Sequence, residues 1–222
     1  MGSRKINGAV VRKIIELGQF AMQFGRVKRI TLCEDGVTPE SDTDHTVMLS
    51  LVACSLAADY KKDLNIGLVA QFALVHDLVE VYAGDTPNPH GMAIDKKSAA
   101  SKEKRERAAL RKIEKRFGKT FPWLPRTIRK YEKLDTKEAR FIKVLDKAMP
   151  KVTHSLNGVK ALKDHGYDKA SVKSALEGQV MRLQSLYGKD QTEVIEILSL
   201  LARKAVAAFE GFHRPSPQGG RK

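Results

Sequence analysis

Two histidines and two aspartates have the residue types to close on one divalent cation: His45, the adjacent pair His76-Asp77, and the distant Asp146. Two imidazole nitrogens and two carboxylates suit a borderline or hard cation and leave positions for water and a substrate oxygen. The chemistry such a set favours is metal-assisted hydrolysis of a phosphate ester. His76-Asp77 carries the most weight, because it sits inside FALVHDLVEV among apolar neighbours. A free carboxylate there costs several kcal/mol to bury unless it is paired or metal-bound. Glu80 follows His76 by four residues and Asp77 by three, which on a continuous helix places all three on one face. Asp146 repeats the pattern in ARFIKVLDKAMPKV. Taken alone, Asp146 reads as an ion-pair partner of Lys143 or Lys147, and His45 as a capping or surface residue. Asp85 alone reads as a turn residue stabilised by its own backbone bonds, at the mouth of any site the preceding helix builds.

Three helices must position these groups. Asn7 can cap a helix running through Val10, Ile14, Leu17 and Met22 to Gly25. A polar stretch, CEDGVTPESDTD, reads as a loop, and no hairpin signal joins two alternating runs. A second helix is expected over about 44–60. Asn65 or a neighbour starts a third, IGLVAQFALVHDLVEVYA, apolar almost all round and therefore central to the core. Gly84 stops it, and GDTPNPHG follows as a tight loop. A charged helix is expected over about 96–116, then a turn around Trp123 bracketed by Pro122 and Pro125. Further helices are expected over about 136–149, 169–187 and 192–209. The fold class is all-α: one helical domain over 1–212, with the tail 213–222 expected to be disordered.

Composition narrows the partners. A hydrophobic fraction of 42% supports a sizeable core, and an aromatic fraction of 6% makes it mostly aliphatic. The formal charge of +14 points to polyanionic company such as nucleotides or nucleic acid, or to a solvated basic surface. Cys33 and Cys54 match no zinc spacing and imply no oxidising compartment. No apolar run is expected to span a bilayer, so no membrane partner is expected and a cytoplasmic location is the default. The segment KKSAASKEKRERAALRKIEKR is basic enough for weak nucleic-acid binding, yet Glu103, Glu106 and Glu114 interrupt it as on a solvated helix.

The order His45, His76-Asp77, Asp146 resembles the signature of the HD-domain metal-dependent phosphohydrolases. SDTDHTVMLSLVA, FALVHDLVEVYAGDTPNP and EARFIKVLDKA are similar to the YfbR-like 5′-deoxynucleotidase branch and its HDDC-type relatives, over about Phe20 to Val152. The resemblance implies a helical bundle with the metal site between central helices. It implies His45, His76, Asp77 and Asp146 as metal ligands, Glu80 as the proton-handling acid, and Asp85 as a second acid orienting water or a substrate hydroxyl. It puts Arg26 on the substrate phosphate, aligns Arg29 with a second arginine, and places Thr86 beside Asp85 on the substrate side. It also implies a nucleotide substrate, a homodimer, and one divalent ion among Mn²⁺, Co²⁺, Zn²⁺, Fe²⁺ and Mg²⁺, with histidine favouring the transition metals. Val27 stands where the branch has a tryptophan packing near the sugar. The implied reaction is release of phosphate from deoxynucleoside 5′-monophosphates. The alternatives are a deoxynucleoside triphosphate triphosphohydrolase, for which Lys28, Lys147 and Lys151 could hold further phosphates, and a basic nucleic-acid-binding protein with a structural metal site.

Overall fold

Five of the helices begin on the same local chemistry. Asn7, Ser41, Asn65, Thr136 and Asp168 each hold an extended backbone and accept a first-turn N–H on the side-chain oxygen. Each thereby satisfies a donor that the helix itself cannot reach. The computed structural model describes residues 5–86 and 96–211. In chain order the elements are α1 (Gly8–Phe24), β1 (Lys28–Leu32), β2 (Pro39–Ser41), α2 (Asp42–Asp59), α3 (Ile66–Val75), α4 (Glu80–Ala83), α5 (Lys96–Phe117), α6 (Trp123–Glu132), α7 (Lys137–Leu156), α8 (Lys160–Asp164) and α9 (Lys169–Ala207). The fold is all-α apart from one short hairpin.

The core forms around α3, whose Val69, Phe72, Ala73 and Val75 are fully buried. They join one cluster with Leu49 and Ala53 of α2, Ile128 of α6, Phe141, Ile142 and Leu145 of α7, and Leu198 of α9. Each large aliphatic or aromatic side chain buried there stabilises the fold by about 1.5–3 kcal/mol. The stretch 66–83 has a mean hydropathy of 1.4 over 18 residues, so by length and composition it could span a bilayer, contrary to expectation. In the fold it breaks at residues 76–79 and supplies the core instead. Helix α9 lies along α7 and buries Val194, Ile195 and Leu198, so the C-terminal helices complete the chain's own core.

Several expectations need correction. The polar loop holds an antiparallel hairpin that pairs Lys28 with Ser41 and Leu32 with Pro39. Its turn is built by Asp35, which accepts the N–H groups of Val37 and Thr38, and by Gly36 at a φ of 69°. Asp35-Gly36 is a hairpin-type dipeptide, but the polar run TPES after it shows no apolar alternation, which is why the hairpin was missed in sequence. Trp123 starts α6 rather than sitting in a turn, with Pro125 tolerated in the first turn, where backbone N–H groups have no helical partner. Helix α7 runs past Met149 to Leu156 with Pro150 inside. Proline costs one ladder bond there, and burial of Met149 and Thr153 on the far side carries the helix through. The two expected C-terminal helices are both present within α9, joined at the non-helical Gln191 (φ −123°, ψ 19°), where the gap between them was expected. The expected tail 213–222, and residues 87–91 of the expected GDTPNPHG loop, lie outside the described residues.

Candidate metal centre

The N-terminus of α2 sets the first ligand. Ser41 and Asp44 form a reciprocal capping box, which fixes the first turn and aims His45 inward, where it is fully buried. His45 Nε2 lies 3.1 Å from Asp146 Oδ1. Its other nitrogen, Nδ1, lies 3.5 Å from Glu40 Oε1 at the end of the hairpin. A carboxylate behind a histidine fixes the ring and raises its basicity toward a cation.

The second pair comes from the end of α3. His76 Nδ1 lies 2.8 Å from the carbonyl of Ala73, a contact that puts the proton on Nδ1 and leaves the Nε2 lone pair facing inward. That Nε2 is 3.0 Å from Asp77 Oδ2 and 3.9 Å from Asp146 Oδ1. Donor atoms of His45, His76, Asp77 and Asp146 all lie within 4.8 Å of one another. His76 Nε2 is buried and has no hydrogen-bond donor facing it among the described residues. A buried, inward-facing imidazole lone pair beside two carboxylates fits a divalent cation. The four residues that the sequence singled out are therefore brought together.

Residues 22–186 match the family model of the HD domain. The chain belongs to the HD-domain family. Among solved structures, this HD domain is similar to a protein of Magnetospirillum magnetotacticum described as a predicted metal-dependent phosphohydrolase, at 25% identity and a TM-score of 0.64. That match covers 88% of this chain and 96% of the other. A conserved hypothetical protein of Pyrococcus furiosus shares the fold at 22% identity and a TM-score of 0.54, over 84% of this chain and 99% of its own. A Pyrococcus horikoshii protein does so at 22% identity and a TM-score of 0.55, over 86% and 99%. No curated protein sequence matches the chain significantly.

Around the four candidate ligands of this HD domain lies a second layer that the sequence did not reveal. The helical ladder does not continue through His76-Asp77. The N–H of Leu78 bonds to Val75 O and that of Glu80 to Asp77 O, tight i→i−3 bonds that reset the direction before α4. The expected single face is thus split: Glu80 groups with Asp42 and Asp77, and His76 groups with the other ligands. Arg29, held by β1, donates to Asp42 Oδ1 at 3.1 Å and to Asp77 Oδ2 at 3.0 Å. It is the cation that lets three acids share this volume. Lys147 Nζ donates to Asp146 Oδ2 at 2.6 Å, so the ion pair expected of Asp146 alone coexists with the ligand cluster.

Electrostatics separate the acids. Burial pushes Asp77 and Asp146 upward, but His76 and Arg29 around the first, and Lys147, His45 and His76 around the second, hold both below the usual carboxylate range. Burial also opposes protonation of His45, yet Asp146 and Glu40 raise it to about 9. Glu80 goes the other way: burial, then the charges of Asp77, Asp42 and Asp85, push it up to about 10. Asp42 rises to about 6, by burial and Asp77 against the pull of Arg29. The upward shift sets Glu80 apart from Asp77 and Asp146 as the carboxyl that most readily holds a proton.

The remaining expected residues divide. Asp85, Thr86 and Arg29 line a cavity of about 540 Å³ that opens onto His76, Asp77, Glu80 and Asp146. Thr86 also accepts a hydrogen bond from Arg105 Nη2 at 2.8 Å. Arg26 is exposed between α1 and β1 and is not among the cavity's walls. The arginine at the centre is Arg29, three residues later. Arg26 falls in the turn after α1, before β1 begins at Lys28, whereas Arg29 lies on β1 and is carried to Asp42 and Asp77.

Proposed function

We propose that this HD-domain chain is a metal-dependent phosphohydrolase acting on nucleotides, as a 5′-nucleotidase releasing phosphate from deoxynucleoside 5′-monophosphates. The observation that carries the reading is the convergence of His45, His76, Asp77 and Asp146 beside a buried acid, Glu80, whose pKa burial pushes upward. A divalent cation held by those four residues supplies Lewis acidity toward phosphate oxygens and toward water. The chain's own groups do the rest. Arg29 and Lys147 line the cavity next to the ligands and offset the negative charge of a phosphoryl group. Glu80 is placed to give its proton to the departing sugar oxygen, the task for which a raised carboxyl pKa is suited. Asp85 stands at the same wall to orient a hydroxyl or water. The nucleotide class is supported by the cations Arg29, Lys143, Lys147 and Lys151 on the cavity's walls, which stand there against Glu103, Glu106 and Glu132 as well as the acids of the metal centre, and by a volume in the range of ordinary small-ligand sites.

A screen of ribo- and deoxynucleoside mono-, di- and triphosphates for released phosphate, with Mn²⁺, Co²⁺, Zn²⁺, Fe²⁺ and Mg²⁺ in turn, tests the reading. Orthophosphate from 5′-monophosphates, lost on chelation and restored by one of the metals, is the expected result. Inorganic triphosphate as the only product would replace it with a triphosphohydrolase. No release from any nucleotide would overturn it.

A further inference from the structure

The cavity continues past the metal ligands, along the second half of α7 and against α8 and α9. Lys143, Lys147 and Lys151 recur every four residues, so they form one stripe of α7, and all three line the cavity. Lys147 is already committed to Asp146. Lys151 is different. It is only 4% exposed and donates to Gln179 Oε1 of α9 at 2.7 Å, an amide that is itself 3% exposed. Among the described residues no carboxylate forms an ion pair with it. Leu162, Val172 and Leu176 enclose the same end of the cavity. A neutral amide occupies one of an ammonium's three donors, and one hydrogen bond returns less than the burial of an isolated charge costs. Burial, with the nearby charge of Lys147, accordingly pushes Lys151 down to about 7. A group that the fold keeps at such expense, aimed into a cavity, calls for an anion.

We propose that Lys151, held in place by Gln179, is the floor of a second phosphate subsite, and that the preferred nucleotide carries a phosphate there in addition to the one cleaved at the metal centre. The identity of the first phosphate rests on the phosphohydrolase reading above. The spacing argues for the position of the second. Lys151 lies five residues beyond Asp146 on the same helix, an axial offset of about 7.5 Å at roughly 1.5 Å per residue. That offset exceeds a single P–O–P link and suits a phosphate across the sugar, at the 3′ position; a chain of linked 5′ phosphates is the alternative that a ratio near one in the parent chain would favour. A lysine suits this task as a compact point charge, and the aliphatic walls deepen the preference by excluding competing water.

The test uses ligands with no 5′ ester to cut: thymidine 5′-phosphonate, and the same phosphonate carrying a 3′-phosphate, each titrated calorimetrically into the full chain. The 3′-phosphate should tighten binding at least about tenfold, the worth of one charge-assisted hydrogen bond. Lys151→Met should bring that ratio close to one. It should also melt no lower than the parent chain, since it removes a buried charge without a counter-ion. Gln179→Glu keeps the lysine in place but gives it a permanent counter-ion, and it should likewise bring the ratio close to one. A merely structural lysine predicts the opposite, an unchanged ratio in Gln179→Glu. A ratio near one in the parent chain, or one that survives both substitutions, overturns the subsite. Collapse of the ratio without phosphate release from any nucleotide would sink the hydrolase reading and leave the subsite standing.

Discussion

The two ends of the cavity solve opposite electrostatic problems. At the metal end, buried carboxylates are crowded, and His45, His76, Arg29 and Lys147 stand against Asp42, Asp77 and Asp146. At the lysine end, Lys151 is buried with an amide and no carboxylate partner among the described residues. The first end is an excess of ligand atoms that fits a cation. The second is an excess of donors that fits an anion. A phosphate ester bridging them would meet complementary charge at both ends, and that is why the contrast bears on function rather than on stability alone.

The largest effect should come from breaking the ligand set. His76→Ala or Asp77→Ala should abolish both bound metal and turnover, and metal content measured alongside phosphate release checks it; full activity in either variant would remove the metal assignment. Glu80→Gln comes next. The amide copies a neutral carboxylic acid in shape but cannot give up a proton usefully, so metal content should hold while kcat falls by about 10²–10⁴. If kcat is unchanged, proton delivery lies elsewhere, with Asp85 the next group to vary. Arg29→Ala removes the counter-charge from Asp42 and Asp77 and should destabilise the chain by about 3–5 kcal/mol, read as a lower denaturation midpoint. A midpoint that does not move would mean that the acids are already protonated in the folded chain. Smallest of all, Arg26→Ala on the exposed surface should change kcat/KM by less than about twofold. A large loss there would restore Arg26 to the phosphate and displace Arg29.

The site was legible where composition and context conflict. His76-Asp77 and Asp146 stand out because ionisable groups interrupt apolar runs, and that signal survives without any structure. Glu40 and Asp42 were missed because they sit in a polar stretch, where acids are unremarkable. Only the hairpin, which folds that stretch back beside α2, reveals them as buried at 2% and 0% exposure. Gln179 was missed for a related reason. It is one polar residue on a long helix, and its role depends on α9 crossing α7 at Lys151. Arg26 and Arg29 show the limit of transferring roles by position, since Arg26 falls in the turn after α1 while Arg29 lies on β1 beside Asp42 and Asp77.

By itself the sequence determined the helical class, the starts of α1 at Asn7 and α3 at Asn65, the aliphatic core and the four residues that converge at the candidate metal centre. Each of these follows from local chemistry: side-chain caps, helical periodicity, and the cost of placing charge among apolar neighbours. The tertiary structure alone decided the break after α3, the passage of α7 through Pro150, the choice of Arg29, and the pairing of Lys151 with Gln179. Those depend on contacts between segments far apart in the chain, where burial and charge from one element set the conformation and protonation of another.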